Sequence, residues 1–156
     1  MRPATVLAGL AVAVAATGLT AAPAHAAAPG LVDGTLSALG FTCTFANATT
    51  SDTPPNTLTI DHTTLSPQCG GGVSMSLASS PTFTFDDIPG TASTPQLDIN
   101  AGGLGITCSY RVTNVTVTRS GTTRSYTGGP FTATRVSGGF LCPSTTNVET
   151  AAFSFH

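Results

Sequence analysis

Leu104-Gly105-Ile106-Thr107-Cys108-Ser109-Tyr110-Arg111-Val112-Thr113-Asn114-Val115-Thr116-Val117-Thr118, the longest strand candidate, carries the strongest architectural signal in the chain. Its apolar residues recur at every second position, the period of a β-strand with one buried face. Ile106, Cys108, Tyr110 and Val112 share one face, whereas Val115 and Val117 fall on the other. Thr113-Asn114 is therefore expected to be a bulge, or the corner where the strand bends from one sheet to the next. The same alternation of Thr or Ser with apolar residues recurs in Phe41-Thr42-Cys43-Thr44-Phe45, Leu58-Thr59-Ile60, Val73-Ser74-Met75-Ser76-Leu77 and Phe83-Thr84-Phe85. Turn chemistry at Asp52-Thr53-Pro54-Pro55-Asn56, Asp87-Ile88-Pro89-Gly90 and Gly128-Gly129-Pro130 separates these runs, and Arg119 to Arg124 reads as a hairpin connection. Beyond the first residues no helical stripe is found, and only a short helical turn near Leu31 to Leu39 is expected. The expected fold is all-β, an antiparallel sandwich or barrel of about 8–9 strands.

Working outward, Leu104-Gly105-Ile106-Thr107-Cys108-Ser109-Tyr110 is matched by Leu39-Gly40-Phe41-Thr42-Cys43-Thr44-Phe45. Each block is followed by a second Cys, Cys69 or Cys142, and then by a Phe-x-Phe strand, Phe83-Thr84-Phe85 or Phe153-Ser154-Phe155. The domain thus reads as two related halves, about 36–88 and 101–156. Equivalent halves pair internally, which assigns disulfides Cys43 to Cys69 and Cys108 to Cys142 out of the three connectivities that four cysteines allow.

The compartment follows from the other end of the chain. Arg2, the apolar run Val6 to Leu19 and the small-x-small ending Ala24-His25-Ala26 read as an export signal over residues 1–26, leaving a single domain over 27–156. Four cysteines in an oxidising compartment favour two disulfides. Their separations of 26, 39 and 34 positions, with no His nearby, argue against structural zinc, and no metal or cofactor is expected. After loss of Arg2, four Arg face seven acids and no Lys, a balance of −3. That excludes a nucleic-acid binder working by phosphate neutralisation. No membrane span is expected once the leader is removed, and the product is expected outside the cell.

The leader, the Leu104 to Tyr110 block and Gly138-Gly139-Phe140-Leu141-Cys142-Pro143 together resemble small secreted, disulfide-bonded, β-rich proteins of actinobacteria. The resemblance implies export and a disulfide-bonded β-domain, and it brings no catalytic residues with it. Neocarzinostatin-type apoproteins are also secreted four-Cys sandwiches, but their cysteines form short-range pairs whereas the closest here are 26 apart. Their ligand cleft is therefore not carried over.

Chemistry-bearing residues are few. Asp61 and His62 are adjacent on a predicted strand end and point to opposite faces, so they form no dyad. Asp86-Asp87 reads as a turn before Pro89-Gly90. No Gly-x-Ser-x-Gly elbow occurs, and the single Glu, Glu149, lacks a paired carboxylate nearby in sequence. The chain is accordingly expected to be a non-enzymatic binding or assembly domain, acting on another extracellular protein or a cell-surface component. Arg119 and Arg124, flanking one hairpin, and the candidate edge strand Phe131-Thr132-Ala133-Thr134 are the expected contact residues. The alternative is a secreted protease inhibitor or antagonist presenting a disulfide-held loop, Pro143-Ser144-Thr145-Thr146.

Overall fold

A computed structural model describes residues 29–156, and the expected leader over 1–26 lies outside the described residues. Eleven strands form one antiparallel system: β1 (Gly30–Ala38), β2 (Phe41–Thr50), β3 (Leu58–Thr59), β4 (Gln68–Cys69), β5 (Val73–Leu77), β6 (Thr82–Asp86), β7 (Thr91–Gly103), β8 (Ile106–Arg119), β9 (Ser125–Gly128), β10 (Phe131–Ser137) and β11 (Thr145–Phe155). The all-β expectation holds. The count exceeds the expected one; β3 falls in the expected Leu58-Thr59-Ile60 run, whereas β4 is a two-residue piece too short to show a period. The expected helical turn near Leu31 to Leu39 is instead strand β1. Its Val32 and Leu36 are buried against β2 and β11, and pairing on both sides outweighs a weak local preference.

The strand ladder closes into a ring at one end only. There the last residues of β2 meet the segment after β3 through a Thr50–Ile60 bridge, with Ser51 N donating to Thr59 O at 2.9 Å and Asp61 N to Thr49 O at 2.9 Å. The ring then runs β2, β3, β6, β7, β8, β9, β11, β1 and back to β2. At the other end the order is β4, β2, β1, β11, β10, β8, β7, β5, and β4 and β5 are joined only through Gly70-Gly71-Gly72.

A line of phase changes separates the two ends. In β8 the buried residues switch from Tyr110 and Val112 to Val115 and Val117 across Asn114, which lies at a positive φ of 54°. Opposite it, β7 switches from Ala92 and Thr94 to Leu97 and Ile99 across Pro95. Because both strands switch together, their register is unbroken from Thr91–Thr118 to Gly103–Ile106. The expected corner is real, but it is a shared fold line and not an extra residue. β9 and β10 continue the line as one strand interrupted at Gly129-Pro130, and β11 switches between Val148 and Ala151. In β2 the device is a true bulge. Asn47, at φ 56°, shifts the register against β1, and its N–H is taken by Asp33 Oδ1 at 2.8 Å.

The two sequence halves correspond in part. Each opens on a hairpin, β1–β2 or β7–β8, whose two-residue turn is Leu-Gly with both residues at positive φ, the conformation that matches strand twist. Each Phe-x-Phe strand, however, pairs with the leading hairpin of the other half: β6 with β7, and β11 with β1. The halves are therefore interleaved and share one core. Below the fold line this core is aromatic, with Phe85 edge-on to Phe155 at 5.3 Å and to Tyr126 at 5.4 Å, and Phe83 against Phe153 at 5.3 Å. Such pairs add about 0.5–1.5 kcal/mol each beyond the area they bury.

Candidate functional site

The disulfides pair as the repeat requires, Cys43 with Cys69 and Cys108 with Cys142. Both lie at the open end, and they do different work. Cys43 and Cys69 are direct cross-strand partners that pin β4 to β2. Cys142 sits in the β10–β11 connection and fastens it to β8 through Cys108. Arg135 holds the same connection through its guanidinium, which donates to Gly139 O at 3.2 Å and to Cys142 O.

Inside this end lies an apolar cleft. A partly open hollow of about 60 Å³ is bounded by Leu36, Met75, Ile99, Tyr110, Ala133 and Val148. It adjoins an open groove of about 200 Å³ that reaches Ile106, Leu141 and Pro143, and Leu39, Phe41, Val73, Ala101 and Tyr110 line both. No charged side chain lines either part. Phe41 covers Gly71 so closely that a Cβ there would fall 2.8 Å from its ring, which explains the glycine in the β4–β5 connection. The Tyr110 side chain is buried, and its hydroxyl has no hydrogen-bond partner among the described residues. A larger hollow of about 350 Å³ on the outer face, between Asp33, Thr44 and Ser154, is shallow and hydroxyl-lined. Ser125 and Ser154 bond each other there at 3.0 Å, and no buried polar group in it lacks a partner.

The rim of the cleft is unusual in composition. Leu39 and Leu104 occupy the first positions of the two hairpin turns at φ 55° and 51°, where a side chain other than Gly, Asn or Asp is disfavoured. Leu39 is half exposed, and Leu104 is fully exposed. Phe140 and Leu141, in the connection that Cys142 ties down, are exposed as well. Leu39 and Leu141 line the cleft itself, while Leu104 and Phe140 lie next in the chain to residues at its edge.

The residues singled out for contact from sequence lie elsewhere or are already engaged. Arg119 ion-pairs with Asp87 at 2.6 Å at the closed end, and Arg124 donates to Pro54 O. Phe131, Thr132, Ala133 and Thr134 are not an edge. All four pair with β11, and Ala133 and Thr134 pair with β8 as well, so β10 lies inside the sheet, and Ala133 is buried against the cleft. In the alternative inhibitor loop, Thr145 and Thr146 are paired with Thr134 and Ala133, and Ser144 O accepts from Arg135 N at 2.9 Å, so the loop is largely held against β10.

The remaining ionisable groups have structural partners. Asp61 caps the 3-10 turn His62–Thr64, accepting from Thr63 Oγ1 at 2.7 Å and Thr63 N at 2.9 Å, and these bonds lower its pKa. His62 Nδ1 meets Ser80 Oγ at 2.9 Å and turns away from Asp61. Asp98 is held below the usual carboxylate range, first by its hydrogen bond from Arg111 Nε at 2.7 Å across the β7–β8 ladder. Among the described residues no three His, Cys, Asp or Glu side chains converge on one point, and no helix is long and apolar enough to cross a membrane.

Sequence patterning missed the cleft because its lining comes from strands far apart in the chain. A signal for the rim was nonetheless present: both hairpin turns read Leu-Gly where Asn-Gly or Asp-Gly would serve folding better. No protein-family model matches the chain, and neither a curated protein nor a solved structure matches it significantly.

Proposed function

We propose that the protein is a secreted, non-enzymatic binding domain whose open end engages an apolar group of an extracellular or cell-surface component. The observation that carries this reading is the pair of Leu-Gly turns, each holding an exposed leucine in a left-handed conformation beside one uncharged cleft. Residues kept against local preference are expected where function sets the choice. Two disulfides fastening the same end support it, since a binding surface made of turns needs rigid support and such bonds persist outside the cell. The resemblance to small exported actinobacterial β-proteins fits the same reading. An inhibitor role has less support, because half of its proposed loop is paired strand.

The reading is tested with an uncharged naphthylamine fluorophore titrated into the disulfide-bonded protein over a salt series. Binding is expected to be saturable and to hold or strengthen as salt rises, since burial of apolar surface and not charge drives it. Ala101→Phe, which fills the place where hollow and groove meet, should abolish it while leaving the urea midpoint within the folded range. Absence of saturable binding, or binding indifferent to Ala101→Phe, would overturn the reading.

A further inference from the structure

We propose that the open end docks on an anionic phospholipid bilayer, with Leu104 and Phe140 entering the lipid interface and Arg135 meeting the head-group phosphates. The inference rests on the binding role assigned above to the open end and names the surface that this end meets.

Exposure gives the first part. Leu104 is fully exposed in the β7–β8 turn, Phe140 is 94% exposed in the β10–β11 connection, and Leu39 and Leu141 are more than half exposed. The connections that carry them, Leu39-Gly40, Leu104-Gly105 and Gly138 to Ser144, contain no charged residue. These side chains stand on separate connections. A fluid surface admits separate projections, whereas a rigid partner needs a matching pocket for each. Attachment of this kind scales with the apolar area buried and with attraction to anionic lipid.

Charge gives the second part. On the open side of the fold line the charged side chains are Asp98, Arg111 and Arg135. Asp98 and Arg111 pair with each other at 2.7 Å, which leaves Arg135 as the excess charge. Its Nη1 donates to Gly139 O and Cys142 O, the carbonyls that flank Phe140 and Leu141. Its Nε and Nη2 have no partner among the described residues and are not buried. A cation with open donors therefore sits at the base of the connection that carries Phe140, and a guanidinium suits phosphate. On the closed side Asp33, Asp52, Asp61, Asp86 and Asp87 outnumber Arg119 and Arg124, and Glu149 lies at the line itself. An anionic surface thus attracts one end of this net-negative chain and repels the other, which fixes its orientation. A second copy fits less well, because two open ends face to face would bring two Arg135 side chains together.

The chain contains no Trp, so a single introduced one reports position. The disulfide-bonded variants Phe140→Trp and Leu104→Trp are compared with Ile88→Trp, whose site is 98% exposed at the closed end. Each is mixed with vesicles of phosphatidylglycerol and phosphatidylcholine, and with vesicles of phosphatidylcholine alone. On the anionic vesicles the emission of the first two should shift to the blue and be quenched by brominated acyl chains, while that of Ile88→Trp should stay unchanged. In co-sedimentation, Phe140→Ser and Leu104→Asn should each weaken binding about tenfold. Arg135→Gln should weaken it about fivefold on anionic vesicles and leave neutral ones unaffected. Urea midpoints separate these losses from unfolding. Failure of the parent protein to sediment with anionic vesicles, an Ile88→Trp response equal to that of Phe140→Trp, or a stable solution dimer that Phe140→Ser dissociates would overturn the proposal. If the naphthylamine fluorophore binds and Ala101→Phe blocks it while no vesicle is bound, the bilayer is the wrong surface and the binding role survives. If neither is bound, the binding role falls too.

Discussion

The two ends of the barrel are built on opposite plans. At the closed end the ladder runs full circle, five aromatic side chains interlock, and the loops are tied by Arg119–Asp87 and by Arg124 on Pro54 O. At the open end the ring stops between β4 and β5, disulfides fasten β4 to β2 and the β10–β11 connection to β8, and the turns carry leucine in place of the residues that favour them. One end holds the fold, which allows the other to depart from what folding alone prefers.

The comparison breaks most sharply through the core. Phe155→Ala removes the ring that meets Phe83, Phe85 and Tyr126, and it should cost about 3–5 kcal/mol in urea denaturation. A loss no larger than that of an exposed substitution would show that the closed end does not carry the stability. Next come the disulfides, which close loops of similar length, 26 and 34 positions. Chain entropy predicts a loss of about 3–4 kcal/mol for either Cys→Ala pair. Only Cys108→Ala/Cys142→Ala also frees the Phe140-Leu141 connection, so it should weaken fluorophore binding more than Cys43→Ala/Cys69→Ala does. Equal effects on binding would mean that the rim does not depend on that connection.

Smaller effects sharpen the contrast. Leu39→Asn and Leu104→Asn place at each turn a residue that tolerates the left-handed conformation, and each should raise stability by about 1 kcal/mol while fluorophore affinity falls. Stability and binding moving in the same direction would remove the argument that these leucines are kept for a partner. The least effect is that of pH. Asp61 and Asp98 have folded-state pKa values below the ordinary carboxylate value, so they bind protons less readily when folded than when unfolded. Their contribution is present above the unfolded value near pH ~4 and is lost as pH falls through the folded values. Asp98→Asn should therefore lower stability slightly at neutral pH and leave it almost unchanged in strong acid, which flattens the acid limb of the profile read from urea midpoints between neutrality and strong acid.

Much of the architecture could be read locally. Two-residue alternation from Ile106 to Thr118 specified a strand, and its change of phase located the fold line at Asn114, because side-chain direction in a strand is set by parity alone. The matched Leu-Gly-x-Thr-Cys blocks foretold two equivalent leading strands and the pairing of all four cysteines, but not the hairpin turn that each Leu-Gly makes. Strand β1 was misjudged because its burial depends on β11, more than a hundred positions away. The supposed edge at Phe131 to Thr134 failed for the same reason: whether a strand is an edge depends on what lies beside it, and nothing within the strand records that.

What the sequence determined by itself is therefore everything that depends on near neighbours: strand periodicity, turn chemistry, the sparse charge and an even set of cysteines. The tertiary structure alone decided which end of the barrel closes, and it brought Leu36, Val73, Ala101, Tyr110 and Val148 from five strands around one cleft. It also left the Tyr110 hydroxyl without a partner among the described residues. The physical reason is that enclosure and hydrogen-bond satisfaction belong to assembled surfaces, and residues distant in the chain supply them only once the ladder is complete.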